Sequence, residues 1–246
     1  MKKKLITLSI FLFTSLLQAE TIKADYKVEF GIIGEIGIAN AILTKDKNMY
    51  EINVKLKATG IADTLSRGRK EHHVSKGRIV GGKMVSDYYQ VTKSHGSKMT
   101  SKLYSLNHEK KSVNKSYKRW KNGKLTLDKN ETLDFYSTDD LLSLYFNLDK
   151  KITDKSKAKN YVFKAVGAEK QEGTVEVAIP KKSLINIYKE NVGESDDAWY
   201  AKAIVHQDIF SSDKGELLLR IGNDGITQKA VLKDLIFFGD IRAEKM

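Results

Sequence analysis

The side chains that do covalent or metal chemistry are sparse in this sequence and rarely spaced to act together. His72 and His73 are adjacent, and neighbouring side chains on a strand point to opposite faces, so the pair cannot easily share one metal ion. His95, His108 and His206 stand apart and are expected to be exposed or hydrogen-bonded imidazoles. Asp196-Asp197 could offer a carboxylate to a sugar or a metal. Glycoside hydrolysis takes a second carboxylate across the substrate, however, so a solvated loop is the plainer expectation. The run from Gly77 to Gly82-Lys83 follows phosphate-loop spacing but continues into Met84, where a hydroxyl would hold magnesium. Gly31, Gly34 and Gly37 lack dinucleotide-binding spacing and mark a turn with close backbone approach. Neither Gly-x-Ser-x-Gly nor His-Glu-x-x-His occurs. Cysteine is absent, which removes disulfides, thiolate nucleophiles, thiolate-bound zinc and iron–sulfur clusters. The chain is therefore expected not to be an enzyme and to use no metal and no cofactor. One modification motif stands out: Asp128-Lys129-Asn130-Glu131-Thr132 contains Asn-x-Thr with an acidic residue two positions upstream, which makes Asn130 a candidate N-glycosylation site.

Binding chemistry is better represented. The 246 residues carry 43 Lys and Arg against 31 Asp and Glu, a formal charge of +12. The excess is local: between Arg67 and Lys124 sixteen basic residues face only Glu71, Asp87 and Glu109. Such a segment draws a polyanion by long-range attraction that salt screens. Aromatic residues interleave with it, and Tyr88, Lys98, Lys102, Tyr104, Tyr117, Arg119 and Trp120 are the candidate ligand-binding residues. Lysine greatly outnumbers the six arginines, so bidentate phosphate forks are few. Lysines that merely keep strand faces soluble and edges unpaired are the competing reading.

The N-terminus bears on the partner. Lys2-Lys3-Lys4, the apolar run Leu5 to Leu17, and Leu17-Gln18-Ala19 read as a secretory signal peptide over residues 1–19. Its apolar stretch is short for a membrane span. Residues 20–246 are then expected to be a single β-rich periplasmic domain. Export argues against nucleic acid and favours anionic lipid, lipopolysaccharide, an envelope glycan or an envelope protein as partner.

Positioning these residues falls mainly to strands. Tyr50 to Ala58 alternates apolar with charged or amide residues, the pattern of an antiparallel strand with one wet face. Further strands are expected at Asp25–Phe30, Ile36–Leu43, Arg69–Ser75, Lys83–Lys93, Lys98–Leu106, Lys110–Trp120, Tyr161–Val166, Thr174–Ile179, Trp199–Val205, Glu216–Ile221, Ile226–Leu232 and Leu235–Ile241. Asn122-Gly123 supplies the two positive φ angles of a type I′ hairpin turn. Gly222-Asn223-Asp224-Gly225 marks a second reversal. Two helices are expected: a short one from Ile61 to a stop at Gly68, and one from Thr138 to Leu148. In the latter, Thr138 caps and Leu141, Leu142, Tyr145, Phe146 and Leu148 form a stripe that covers one mouth or face of the sheet. Lys150 to Asn160 reads as a loop or seam. So many strands cannot stay flat. The fold class is mainly β, a large curved antiparallel sheet forming an open or half barrel with one covering helix and a short second one.

Asp25-Tyr26-Lys27-Val28-Glu29-Phe30, the Gly31 to Ile38 turn and strand, and Tyr50 to Asp63 resemble the opening of an exported bacterial family known as domain of unknown function 3108. Asp139 to Phe146 is similar to that family's central helix. The resemblance covers most of the chain after residue 19, implies a β-rich periplasmic domain, and brings no catalytic residues with it. A looser likeness, of architecture alone, is to the open half-barrels that carry lipoproteins across the periplasm. The leading expectation is a non-enzymatic periplasmic protein that binds an amphipathic or anionic envelope component. An envelope scaffold or adaptor pairing through a sheet edge is second, and a cell-envelope hydrolase is third.

Overall fold

Alternating segments become strands along almost the whole chain. In the computed structural model, residues 19–168, 170–205, 215–235 and 239–246 are described. Of the expected leader over residues 1–19 all but Ala19 lies outside them, as does His206. The strands are β1 (Glu20–Phe30), β2 (Gly34–Asp46), β3 (Met49–Ala58), β4 (Lys70–Val80), β5 (Lys83–His95), β6 (Lys98–Asn107), β7 (Ser112–Lys121) and β8 (Lys124–Thr132). After a helical segment come β9 (Lys159–Lys164), β10 (Thr174–Ile179), β11 (Ala198–Val205), β12 (Glu216–Gly222), β13 (Thr227–Leu235) and β14 (Gly239–Lys245). The α-helices are α1 (Gly60–Leu65), α2 (Leu141–Lys151) and α3 (Ile185–Val192).

All fourteen strands join one antiparallel sheet in the order β8-β7-β6-β5-β4-β3-β2-β1-β14-β13-β12-β11-β10-β9. The sheet is not closed into a barrel, and β8 and β9 are its edges. It curves because α2 touches strands that a flat sheet would hold far apart. Asn147 of α2 bonds to Met84 of β5, while Leu144 and Leu148 share a core with Trp199 of β11 and Leu219 of β12. Strands β5 and β11 are eight places apart, about 38 Å if the sheet were flat. A helix about 10 Å across reaches both only inside a curl. Its sequence fits that position, since Leu141, Leu142, Leu144, Tyr145, Phe146 and Leu148 make a broad apolar surface over its first two turns. Leu142 and Phe146 pack with Leu43, Tyr50 and Ile52 of β2 and β3, and the Tyr145 hydroxyl accepts the Thr227 amide at 2.9 Å. The helix expected over one mouth or face thus lies against the concave face, in the hollow.

Buried polar groups fasten α2 there. Asp140, not Thr138, is its N-cap: one carboxylate oxygen accepts the amides of Leu142 and Ser143, and the Ser143 hydroxyl accepts the Asp140 amide. Thr138 serves instead as a backbone acceptor, its carbonyl taking the Ser86 amide of β5 at 2.8 Å. The other Asp140 oxygen accepts the Ser75 hydroxyl, so the Tyr50 hydroxyl must donate to Ser75 Oγ, 3.0 Å away. Val166, just after β9, donates to Asp139 and accepts from Leu141. Residues 138–141 therefore bridge β5 to the chain beyond β9.

Three further readings are corrected. A helix the sequence reading did not include, α3, lies on the convex side, where Tyr188 and Val192 pack on Tyr200, Leu218 and Val231. Leu235–Ile241 is not one strand, since Leu235 ends β13 and pairs antiparallel with Gly239, the first residue of β14, residues 236–238 lying outside the described ones. Residues after Asn122-Gly123 form the full edge strand β8, paired to β7 alone. Asn122 and Gly123 take φ of 51° and 74°, as the hairpin demands.

Gly77 shows how tightly β4 and β5 meet. A register shift falls between Lys76 and Gly77, and a Cβ on Gly77 would sit 2.0 Å from the Val85 carbonyl oxygen. Gly77→Ala should therefore destabilise by about 2 kcal/mol, lowering the thermal midpoint by roughly 4–8 °C for a chain of this size. Circular dichroism melting checks this, and an unchanged midpoint would mean that the two strands separate there without cost.

Candidate functional site

Strand register sorts the expected ligand-binding residues onto two faces. On the concave side, beyond the reach of α2, Lys102 of β6 faces Tyr117 of β7, and Thr100 faces Arg119. On β5, Val91 and Lys93 stand opposite Lys102 and Thr100. The Lys102 ammonium lies 5.8 Å and the Arg119 guanidinium 5.7 Å from the Tyr117 ring centroid, within cation–π range. Arg119 also donates to the Tyr117 hydroxyl at 3.0 Å. Lys115 and Lys129 pair with Glu131, but among the described residues no carboxylate pairs with Arg119.

Lys98 stands two positions before Thr100 and so shares this face, at its rim. Tyr104 shares it too but lies in the core, 1 % exposed and stacked on Tyr89 at 5.8 Å. Tyr88 and Trp120 fall on the convex face, because each is one residue out of step with Tyr89 and Arg119. The Tyr88 hydroxyl is engaged by Gln90, and Trp120 stands opposite Met99. Of the seven residues, Lys98, Lys102, Tyr117 and Arg119 are thus brought together at the concave surface.

The structure adds residues that spacing did not reveal. A pocket of about 370 Å³ at the rim is lined by Arg67, Arg69, His95 and Lys98, with Ser66 and Ser97. It forms where the chain leaving α1 meets the β5–β6 hairpin, and the Gly96 amide donates to the Arg67 carbonyl at 2.7 Å. Leu65 of α1 also lines it and is 78 % exposed, and Ile61, one helical turn earlier on the same face, is 70 % exposed. Its nearest sequence signal is Ser66-Arg67-Gly68-Arg69, two cations flanking a helix-stop glycine.

Glu71 ties the pocket to the concave face. Its carboxylate meets Arg69 at 2.6 Å, Lys93 at 3.1 Å and His73 at 3.2 Å. Burial alone would raise its pKa, but the bonds from His73 and Arg69 and the charges of Lys93 and Arg69 outweigh that and hold it well below the usual carboxylate range. It is an anion at neutral pH, surrounded by more cations than it neutralises.

The other candidates take ordinary places. His72 bonds Asn53 at 3.0 Å, whereas His73 bonds Tyr89 at 3.1 Å on the opposite face. His108 meets Tyr136 and Asp87. No group of three or more potential metal ligands occurs among the described residues. Asp196 and Asp197 lie in the turn before β11. The Gly77 to Met84 run spans the β4–β5 hairpin rather than a strand-to-helix turn. Asn130 is exposed on β8. No helix among the described residues is long and apolar enough to cross a membrane.

No family model matches the sequence, and no curated protein is similar to it at a significant level. Among solved structures, it is similar to the crystal structure of a beta-barrel-like protein of domain of unknown function DUF1849 from Brucella abortus. That match has a TM-score of 0.48 and 13 % identity and covers 91 % of this chain and 95 % of the other.

Proposed function

We propose that this chain is a non-enzymatic exported protein that binds an amphipathic, anionic component of the cell envelope at the cationic rim and adjoining concave face. The observation that carries this reading is the convergence of Arg67, Arg69, His95 and Lys98 on one pocket, continuous through Glu71 and Lys93 with the Lys102–Tyr117–Arg119 group. A phosphate or carboxylate headgroup suits the rim cations. The apolar part of such a ligand suits Ile61 and Leu65 beside them. It also suits the concave face of the neighbouring strands, where half-buried Val54 and Leu56 continue the row below the core. Because α2 fills the middle of the hollow, the ligand lies at the rim and along the face rather than enclosed in a central cavity.

Binding of the chain without residues 1–19 to vesicles with and without anionic lipid tests the reading. Arg119→Glu should weaken binding to anionic vesicles about tenfold, the effect of roughly 1.4 kcal/mol, and make it less sensitive to salt. Lys118→Glu, on the convex face beside Asp128, should leave it nearly unchanged. Equal loss in both variants would reduce the attraction to diffuse net charge, and equal binding to neutral vesicles would remove the anionic ligand.

A second reading, an adaptor that pairs through a sheet edge, is favoured by β8. This nine-residue edge strand is almost wholly exposed and, among the described residues, hydrogen-bonded on one side only. Crosslinking in intact cells separates the two, since an adaptor captures one protein in fixed ratio.

A further inference from the structure

We propose that Asn130 is an acceptor for N-linked glycosylation from a polyprenyl-diphosphate-linked oligosaccharide. Asp128, Asn130 and Thr132 are two residues apart on β8, so strand geometry sets all three in one row on the convex face. They stand opposite Lys118, Ser116 and Asn114 of β7. All three are exposed. Beside Asn130 and Thr132 runs a shallow groove of about 550 Å³, whose lining includes Ser105, Asn114 and Ser116. Its hydroxyl and amide groups leave room for a sugar to lie along the sheet.

A transferase must grip its acceptor as an extended segment and read the residues on either side of the asparagine. Strand β8 offers such a segment already formed. Among the described residues it has a ladder with β7 and none on its other edge, so drawing Asp128 to Thr132 outward breaks backbone bonds to β7 alone. Two side chains of the motif would have to leave their present partners: the Thr132 hydroxyl donates to Asn114 Oδ1 at 2.9 Å and the Asp128 carboxylate meets the Lys118 ammonium at 3.3 Å. The chain holds an internal comparison in Asn114-Lys115-Ser116. That motif has Ser112 where the acidic residue would stand and lies on β7, which is paired on both sides. Asn130 is the acceptor and Asn114 is not.

In the reaction, the Asn130 amide nitrogen attacks the anomeric carbon of the lipid-linked sugar. The carbon–oxygen bond to the diphosphate breaks, polyprenyl diphosphate leaves with the electron pair, and the amide gives up one proton to a base of the transferase. The donor faces the outside of the inner membrane, so the modification in cells rests on the export reading above.

The experiment incubates the folded chain, without residues 1–19, with a bacterial single-subunit oligosaccharyltransferase and the lipid-linked oligosaccharide, and reads intact mass and the Asn130 peptide. Expected are a mass gain of one glycan at Asn130, its complete loss in Asn130→Gln and Thr132→Ala, and at least a tenfold slower reaction in Asp128→Asn, with the far-ultraviolet circular dichroism of each variant unchanged. Modification at Asn114, or of the denatured chain but not the folded one, would overturn the proposal. Because the assay bypasses export, cell fractionation tests that separately. A processed chain outside the inner membrane bearing unmodified Asn130 in cells that hold the transferase counts against the glycan alone, and an unprocessed cytoplasmic chain counts against the export reading.

Discussion

Asn147→Leu should lower the unfolding midpoint by roughly 6–12 °C, although leucine has the same branched shape and the same number of side-chain heavy atoms as asparagine. The reason lies in how β5 ends its pairing. Strand β6 pairs with β5 only from Tyr88 to His95, so the backbone of Met84 has no β6 neighbour. The fully buried Asn147 side chain substitutes for one: its oxygen accepts the Met84 amide at 2.9 Å and its nitrogen donates to the Met84 carbonyl at 2.8 Å. The same nitrogen donates to Asp139 Oδ1 at 2.9 Å, and Lys151 holds the other Asp139 oxygen at 2.8 Å. Leucine leaves a buried donor and two buried acceptors unmet, a loss of at least about 3 kcal/mol. Asn147→Asp should not rescue, because a carboxylate accepts from the Met84 amide but faces the Met84 carbonyl and the Asp139 carboxylate with no hydrogen to give. Calorimetry measures the midpoint, and hydrogen exchange at the Met84 amide should accelerate most. A midpoint within 2 °C of the parent would show that α2 is held by its apolar contacts alone.

Local features were legible where one side of an element faces water. The alternation in Tyr50–Ala58 became β3, and Asn122-Gly123 became the β7–β8 turn. The short helix before Gly68 formed as α1, with Gly68 at φ 71° and its amide closing on the Asp63 carbonyl. The curvature of the sheet was legible as well, because so many strands cannot stay flat.

Elements with two buried faces were harder to read. In β11 and β12, Trp199 and Leu219 face α2 while Tyr200 and Leu218 face α3, so the alternation that would announce a covering layer is absent. Helix α3 itself carries Ile185, Tyr188 and Val192 at helical spacing and ends at Gly193 with φ 78°. Ile185 and Ile187 also alternate, however, and β-branched residues at that spacing read equally as a strand. The site was half legible for a related reason. Lys102, Tyr117 and Arg119 follow from composition. The rim pocket instead joins Arg67 to Lys98 across a turn and a hairpin, and only tertiary packing decides that. Tyr88 and Trp120 stand one residue out of step with Tyr89 and Arg119, and on a strand one residue of register reverses the face.

Asp140 gives the sharpest test of the buried network, through the pH dependence of stability. Its carboxyl is fully buried, and that desolvation pushes its pKa up to about 6 although the Ser75 hydroxyl and the Leu142 and Ser143 amides partly offset it. In the unfolded chain the same group titrates near its ordinary 3.8. Between those values the folded state holds a proton that the unfolded state has released, so this group's contribution favours folding at low pH and declines as pH rises through 6. Over the full interval the decline is about 3 kcal/mol. Glu71 acts with the opposite sign. Its lowered pKa adds stability above its unfolded value and withdraws it as pH falls below. Asp140→Asn keeps an oxygen for the two amides and an NH2 to donate to Ser75 Oγ, with the Ser75 hydrogen turned to Tyr50. Urea unfolding at intervals from pH 4 to 7.5 should therefore show the variant gaining on the parent by about 2.4 kcal/mol across the range, the part of the full interval that lies above pH 4. Asp140→Ala, which also strips the cap, should be the less stable of the two variants at every pH, by about 1–2 kcal/mol. Parallel curves for parent and Asp140→Asn would mean that the carboxylate stays ionised in the core. Its partners would then be strong enough to offset desolvation, and the pH dependence would rest on groups such as Glu71.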